Sequence, residues 1–122
     1  MNVRSATVTL RITGTEAHLP SCVSEGEEVF FASGERFGAL ESIVALPMRV
    51  TAEEDGAFFE GEWTGGEFWD VTAEIRIEGS VSEEIFLQGG SRAVLVGQSL
   101  SLYTAHAYLY GTLTDVRVRA TE

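Results

Sequence analysis

The side chains best suited to binding chemistry in this 122-residue sequence gather in one stretch, Phe58, Phe59, Trp63, Phe68 and Trp69. Neighbours along an extended strand point to opposite faces, so one ring of Phe58-Phe59 and one of Phe68-Trp69 must face outward. Phe59, Trp63, Phe68 and Trp69 are therefore the candidate ligand- or partner-binding residues. They would serve as a platform for sugar rings or as a patch against a protein. The competing reading is that most of these rings plug the end of an apolar core.

Other reactive types are weaker candidates. A Cys22–His18 pair has the composition of a thiol nucleophile with its base, but both sit in one short turn with Pro20 and no glycine-rich oxyanion loop accompanies them. His106 lies in no metal-ligand spacing. No catalytic residue is assigned, and the chain is read as a non-enzyme. The acidic tip Glu53-Glu-Asp-Gly56 offers Glu53 and Asp55 as weak ligands for a hard cation, and Glu25, Glu27 and Glu28 form a second acidic group. Neither has the Asp-x-Asp-x-Asp-Gly spacing of a calcium loop. Gly65-Gly66 and Gly89-Gly90 precede no Lys-Ser/Thr and open no helix, so they are not phosphate loops. The expectation is no metal and no cofactor.

Composition narrows the partners. Nineteen acidic residues against eight basic ones give a net charge of −11, which disfavours phosphate backbones and anionic membrane surfaces because affinity for both rests on Lys and Arg. One cysteine cannot form an internal disulfide or a cysteine-based zinc site. No apolar run is long enough to span a bilayer. With 44% apolar residues, the chain should fold as one domain over 1–122, hiding roughly two-thirds of the surface that its unfolded form exposes.

The elements that must position these residues read as strands. Val8, Leu10 and Ile12 alternate with Thr7, Thr9, Arg11 and Thr13, and Val71, Ala73, Ile75 and Ile77 alternate in the same way with Thr72, Glu74, Arg76 and Glu78. Thr15–Val23 predicts one short helical turn interrupted by Pro20. Glu28–Ala32 and Phe37–Leu46 flank a hairpin at Ser33-Gly34-Glu35, a second hairpin turns at Asp55-Gly56, and Ser80–Glu83 predicts another turn.

The chain also repeats itself. Ser24–Ile43 returns loosely as Val96–Val116, with Gly26 matching Gly97, Gly38 matching Gly111, Leu40 matching Leu113 and Ile43 matching Val116. In the second copy Glu25, Glu27 and Glu28 become Val96, Gln98 and Ser99. Upstream, Val8–Gly14 echoes Ala73–Gly79. The internal repeat, spanning approximately 7–46 and 72–119 with a period of about 72 residues, implies two interlocked halves about a pseudo-two-fold axis, since neither half could bury its apolar face alone. About nine short strands with almost no helix give an all-β domain, a closed or partly open β-barrel, with a β-sandwich as the alternative. Gly26, Gly38, Gly97 and Gly111 are read as structural turn glycines, with Gly38 and Gly111 placed where a strand bends sharply or lets another backbone come close.

On these residues, Val8-Thr-Leu-Arg-Ile12, Val23-Ser-Glu-Gly26, Gly38-Ala-Leu-Glu-Ser-Ile43, Val96-Gly97-Gln-Ser-Leu100 and Gly111-Thr-Leu-Thr-Asp-Val116, the sequence resembles the bacterial DUF4330 domain family. The resemblance implies a domain held on the far side of the bacterial membrane by an N-terminal anchor, and it implies no substrate, cofactor or catalytic residue. An anchor-like apolar block is missing here, so the expectation is a chain soluble as given. The resulting functional expectation is a non-catalytic interaction or assembly module of the cell envelope with a protein partner. A small-ligand or carbohydrate-binding domain using exposed aromatics is the alternative.

Overall fold

The computed structural model describes residues 4–15, 23–47, 49–54, 57–62, 69–88 and 92–119. These form ten strands and, among the described residues, no helix: β1 (Arg4–Thr15), β2 (Glu28–Phe31), β3 (Arg36–Pro47), β4 (Arg49–Glu54), β5 (Ala57–Glu62), β6 (Trp69–Ser82), β7 (Ile85–Gln88), β8 (Arg92–Val94), β9 (Ser99–Tyr103) and β10 (Tyr108–Val118). The helical turn expected at Thr15–Val23 falls almost wholly outside the described residues.

Eight strands make one antiparallel sheet in the order β1-β10-β9-β2-β3-β6-β7-β8, and an added β1–β6 pairing closes six of them into a ring. β4 and β5 form a separate two-stranded antiparallel sheet with Glu54 opposite Ala57, and the turn expected at Asp55-Gly56 lies outside the described residues. Ring closure follows from the repeat. One half supplies β1, β2 and β3, and the other supplies β6, β9 and β10. The third strand of each half pairs with the first strand of the other, as β3–β6 and β10–β1, while the two first strands pair together and so do the two second strands. Within the ring each half keeps only a hairpin of its own, β2–β3 in one and β9–β10 in the other.

The ladders that join the halves have matching registers, although the β2–β3 ladder slips between Val29 and Phe30 where β9–β10 does not. The register is centred on Thr9↔Glu74 between the first strands and on Phe31↔Leu102 between the second strands. The β3–β6 ladder slips between Leu40 and Ser42, and the β1–β10 ladder slips between Thr9 and Leu10, which bulges Glu41 and Thr114 at matching points. Such bulges sharpen the local twist and help a sheet to curve.

Alternation on the long strands sends Ala6, Val8, Leu10 and Ile12 of β1 and Val71, Ala73, Ile75 and Ile77 of β6 into one core, with Leu40, Leu102, Leu109 and Leu113. Opposed pairs match large to small, Ile77 against Ala6 and Leu10 against Ala73, which lets two neighbouring strands fill the interior without overpacking. Val23 and Val94, at equivalent places in the two connecting segments, are both buried against this core.

The turn expected at Ser80–Glu83 lies later. β6 runs on to Ser82, and Glu83 and Glu84 make a two-residue hairpin loop with φ of 50° and 69°. Two positive φ values define the mirror-image turn that suits strand twist, and Asn-Gly fills it with less strain than two glutamates. Replacing Glu83 with Asn and Glu84 with Gly is expected to stabilise the chain by about 1 kcal/mol, read as a rise in the urea midpoint. An unchanged or lowered midpoint would show that the turn is not under this strain.

Candidate binding face

The residues singled out from sequence divide between the described strands and the segments outside them. Phe59 lies in β5 opposite Ala52, Glu53 lies in β4 opposite Phe58, and Trp69 begins β6 opposite Thr15 and Pro47. Trp63, Phe68, Asp55, His18 and Cys22 lie outside the described residues. Among the described residues, no group of three or more His, Cys, Asp or Glu side chains could hold a metal ion.

The glycines divide into two kinds. Gly26 and Gly97 occupy turns with φ of 85° and 97°. Gly38 and Gly111 lie inside β3 and β10 rather than in turns, each pressed against a neighbouring backbone.

The two turns holding Gly26 and Gly97 are built alike. The Gly26 amide donates to the Leu40 carbonyl at 2.7 Å and the Gly97 amide to the Leu113 carbonyl at 2.8 Å. Glu27 Oε2 accepts the Ser24 amide at 2.9 Å, and Gln98 Oε1 accepts the Leu95 amide at 3.0 Å. Glu27 and Gln98 thus do the same structural job, so the acid at 27 is not required by the turn. What the carboxylate adds is a second contact, Oε1 to His106 Nδ1 at 2.7 Å. This ties the turn before β2 to the tip of the β9–β10 hairpin. That tip is itself ordered by Thr104, whose Oγ1 accepts the amides of His106 and Ala107 at 3.2 and 3.0 Å.

A second polar cluster lies on the outside of the ring. Arg119 donates to both carboxylate oxygens of Glu41 at 2.7 Å and to Thr7 Oγ1 at 2.8 Å, and the Thr7 hydroxyl donates to Glu41 Oε1 at 2.7 Å. Thr7, Glu74, Arg117 and Arg119 line a shallow open recess of about 370 Å³. Arg117 also faces carboxylates, Asp115 at 3.1 Å and Glu74 at 3.8 Å. Both guanidinium groups already have anionic partners, so the recess is a clasp between strands and not an anion site.

Both clusters respond to pH. The Ser24 amide and then His106 hold the Glu27 carboxyl below the usual glutamate range. At Glu41 burial pushes the carboxyl up, but the Thr7 hydroxyl and the Arg119 guanidinium together outweigh it and leave it lowered. A carboxyl lowered by folding makes the unfolded state bind more protons in acid. Its contribution is therefore complete above the unfolded value of about 4.3 and is lost as pH falls below it. The urea midpoint should fall between about pH 5 and 3, and Glu41→Gln should flatten part of that fall. Glu27→Gln should lower the midpoint at pH 7 less than Glu27→Ala, because Gln98 shows that glutamine completes the same turn and only the contribution of the charge is lost. Equal losses in the two Glu27 variants would contradict this equivalence.

The face that stands out was missed in the sequence. All three tyrosines, Tyr103, Tyr108 and Tyr110, project from the outer side of the β9–β10 hairpin and are 40%, 50% and 56% exposed. Leu109, Gly111 and Leu113 alternate with them into the interior. Cross-strand pairs are Tyr108↔Tyr103, Tyr110↔Ser101 and Thr112↔Ser99. The Tyr103 and Tyr108 rings pack with centroids 4.9 Å apart at 38°, and the Tyr108 hydroxyl donates to Ser101 Oγ at 3.2 Å. Each of the six paired side chains carries a hydroxyl and none is charged. The face is bordered by Phe30, opposite Tyr103 on β2, and by Arg11, opposite Thr112 on β1 and neutralised by Asp70 at 2.9 Å. The signal was present in Tyr108-Leu-Tyr-Gly-Thr-Leu113, whose alternation marks the tyrosines as outward.

No protein-family model, curated protein or solved structure matches the chain. Among the described residues no helix is long and apolar enough to cross a membrane.

Proposed function

We propose that this chain is a non-catalytic binding module, displayed at the bacterial envelope, that engages its partner through the outer face of the β9–β10 hairpin. The observation that carries this reading is the concentration of all three tyrosines on one uncharged face of a chain whose net charge is −11. Tyrosine supplies large contact area with few rotatable bonds and a polar tip, which is why it anchors binding surfaces. The ring of six strands is taken as a small barrel that holds this hairpin rigid. The resemblance to the DUF4330 family belongs to the same proposal and is the source of its envelope part. Phe59, Trp63, Phe68 and Trp69 remain a second candidate surface within it.

The test compares retention of the wild-type chain and a Tyr108→Ala/Tyr110→Ala variant on a bacterial cell-envelope fraction in a sedimentation assay, with circular dichroism confirming that both are folded. Retention is expected to fall at least about tenfold in the variant, the loss that a small cluster of anchor residues produces. Equal retention would remove the β9–β10 face from the proposal.

A further inference from the structure

We propose that the occupant of the β9–β10 face is an uncharged polysaccharide, a proposal that rests on reading this face as the binding surface. The shape points to a chain molecule. The face is the outer side of a two-stranded ladder, with Tyr108, Tyr110 and Thr112 in a row on β10 and Tyr103, Ser101 and Ser99 opposite them. Successive outward residues on a strand stand roughly 7 Å apart and adjacent strands roughly 5 Å apart. The result is an open grid. A small molecule needs a concavity that encloses most of its surface, whereas a polymer laid along a flat grid gains contact from several repeats at once.

The chemistry of the grid fits sugars. The faces of tyrosine rings carry negative charge density from their π-systems, and the C–H groups on a pyranose face present the complementary positive edge. Six hydroxyls, from Tyr103, Tyr108, Tyr110, Ser99, Ser101 and Thr112, both donate and accept hydrogen bonds, as sugar hydroxyls do. Tyrosines alone would also suit a protein interface; what favours a sugar chain is their combination with three further hydroxyls and the absence of charge on the grid.

Charge selects the class of polysaccharide. An anionic glycan would approach a chain of net charge −11 against its field and would find no cation on the grid. Arg11, opposite Thr112 on the neighbouring strand, is already committed to Asp70 at 2.9 Å. A cationic glycan would find no carboxylate among the six grid residues. A neutral glycan incurs neither cost.

The experiment is native gel electrophoresis of the whole chain in gels containing hydroxyethylcellulose, mixed-linkage β-glucan, galactomannan or dextran as neutral polymers, and polygalacturonate as the anionic one. The proposal expects retardation by at least one neutral polymer and none by polygalacturonate. It expects Tyr108→Ala/Tyr110→Ala to weaken the retardation at least about tenfold and Ser101→Glu, which places a charge within the grid, to weaken it as well. Retardation by polygalacturonate alone, retardation that survives both variants, or no retardation in any neutral gel would each overturn it. The envelope sedimentation assay separates the two levels. If envelope retention depends on the tyrosines while the neutral gels show nothing, the face binds something other than a neutral glycan. If envelope retention is also independent of the tyrosines, the face itself is wrongly assigned.

Discussion

Gly38→Ala and Gly111→Ala are each expected to destabilise the chain by about 3 kcal/mol or more, a large share of the stability of a small domain. A Cβ at Gly38 would overlap the Arg76 carbonyl oxygen and come within 2.8 Å of Ile77 Cγ2. A Cβ at Gly111 would overlap the Arg11 carbonyl oxygen and come within 3.1 Å of Ile12 Cγ1. The obstacle is backbone in both cases, so no rotamer change relieves it. Relief would require β3 to move off β6, or β10 off β1, and these contacts are the ones that interlock the halves. The two glycines face equivalent arginines, and equal losses are expected. Gly26→Ala is the control: its φ of 85° makes alanine unfavourable, but nothing lies within 4 Å of the added carbon. Its cost should be nearer 1 kcal/mol. Urea midpoints of the three variants decide the matter. If Gly111→Ala unfolds at the wild-type midpoint, the strands are not this close.

These glycines also show how far the fold was legible. The repeat could be seen because interlocking demands the same small residue at the same point in both halves, and apolar alternation on β1 and β6 had to match where the two strands share a core. The pairing of halves followed from burial alone. What could not be read was where conformation departs from propensity. Glu83 and Glu84 carry no turn signature, and their conformation is imposed by the pairing of Ser82 with Ile85. The acid at 27 looked like function and proved to be half a turn motif, because Gln98 makes the equivalent hydrogen bond.

The candidate site was less legible for a different reason. Adjacent aromatics such as Phe58-Phe59 draw notice as a cluster, yet adjacency on a strand separates rings to opposite faces. Tyr108 and Tyr110, separated by Leu109, share a face because they are two apart, and Tyr103 joins them only through the hairpin register. A site assembled across a ladder is visible from sequence only once the turn between its strands is placed.

Phe86→Ala is expected to cost about 3–5 kcal/mol and to do so globally. Phe86 is 2% exposed and lies opposite Val94 on the β7–β8 hairpin, which leaves the ring at the end of β6 and folds back on the common core. Among the described residues, few polar contacts hold this arm. The Gln88 side-chain amide donates to the Phe37 carbonyl, and Arg92 lies 4.3 Å over the Phe31 ring while pairing with Glu35 at 2.9 Å. The Arg92–Glu35 pair is exposed and contributes little by itself, so apolar burial must supply most of the attachment. The ring depends on the arm in turn, since Phe86 and Val94 belong to the same cluster as Leu40, Ile77 and Leu102. Truncating Phe86 should therefore lower the urea midpoint while leaving the slope of the transition unchanged, as expected when one cooperative unit unfolds. Ile85→Ala, one residue away but 39% exposed, should cost well under half as much. A shallower slope for Phe86→Ala, with amide exchange accelerated only in β7 and β8, would instead show that the arm unlatches alone and that the six-stranded ring is stable without it.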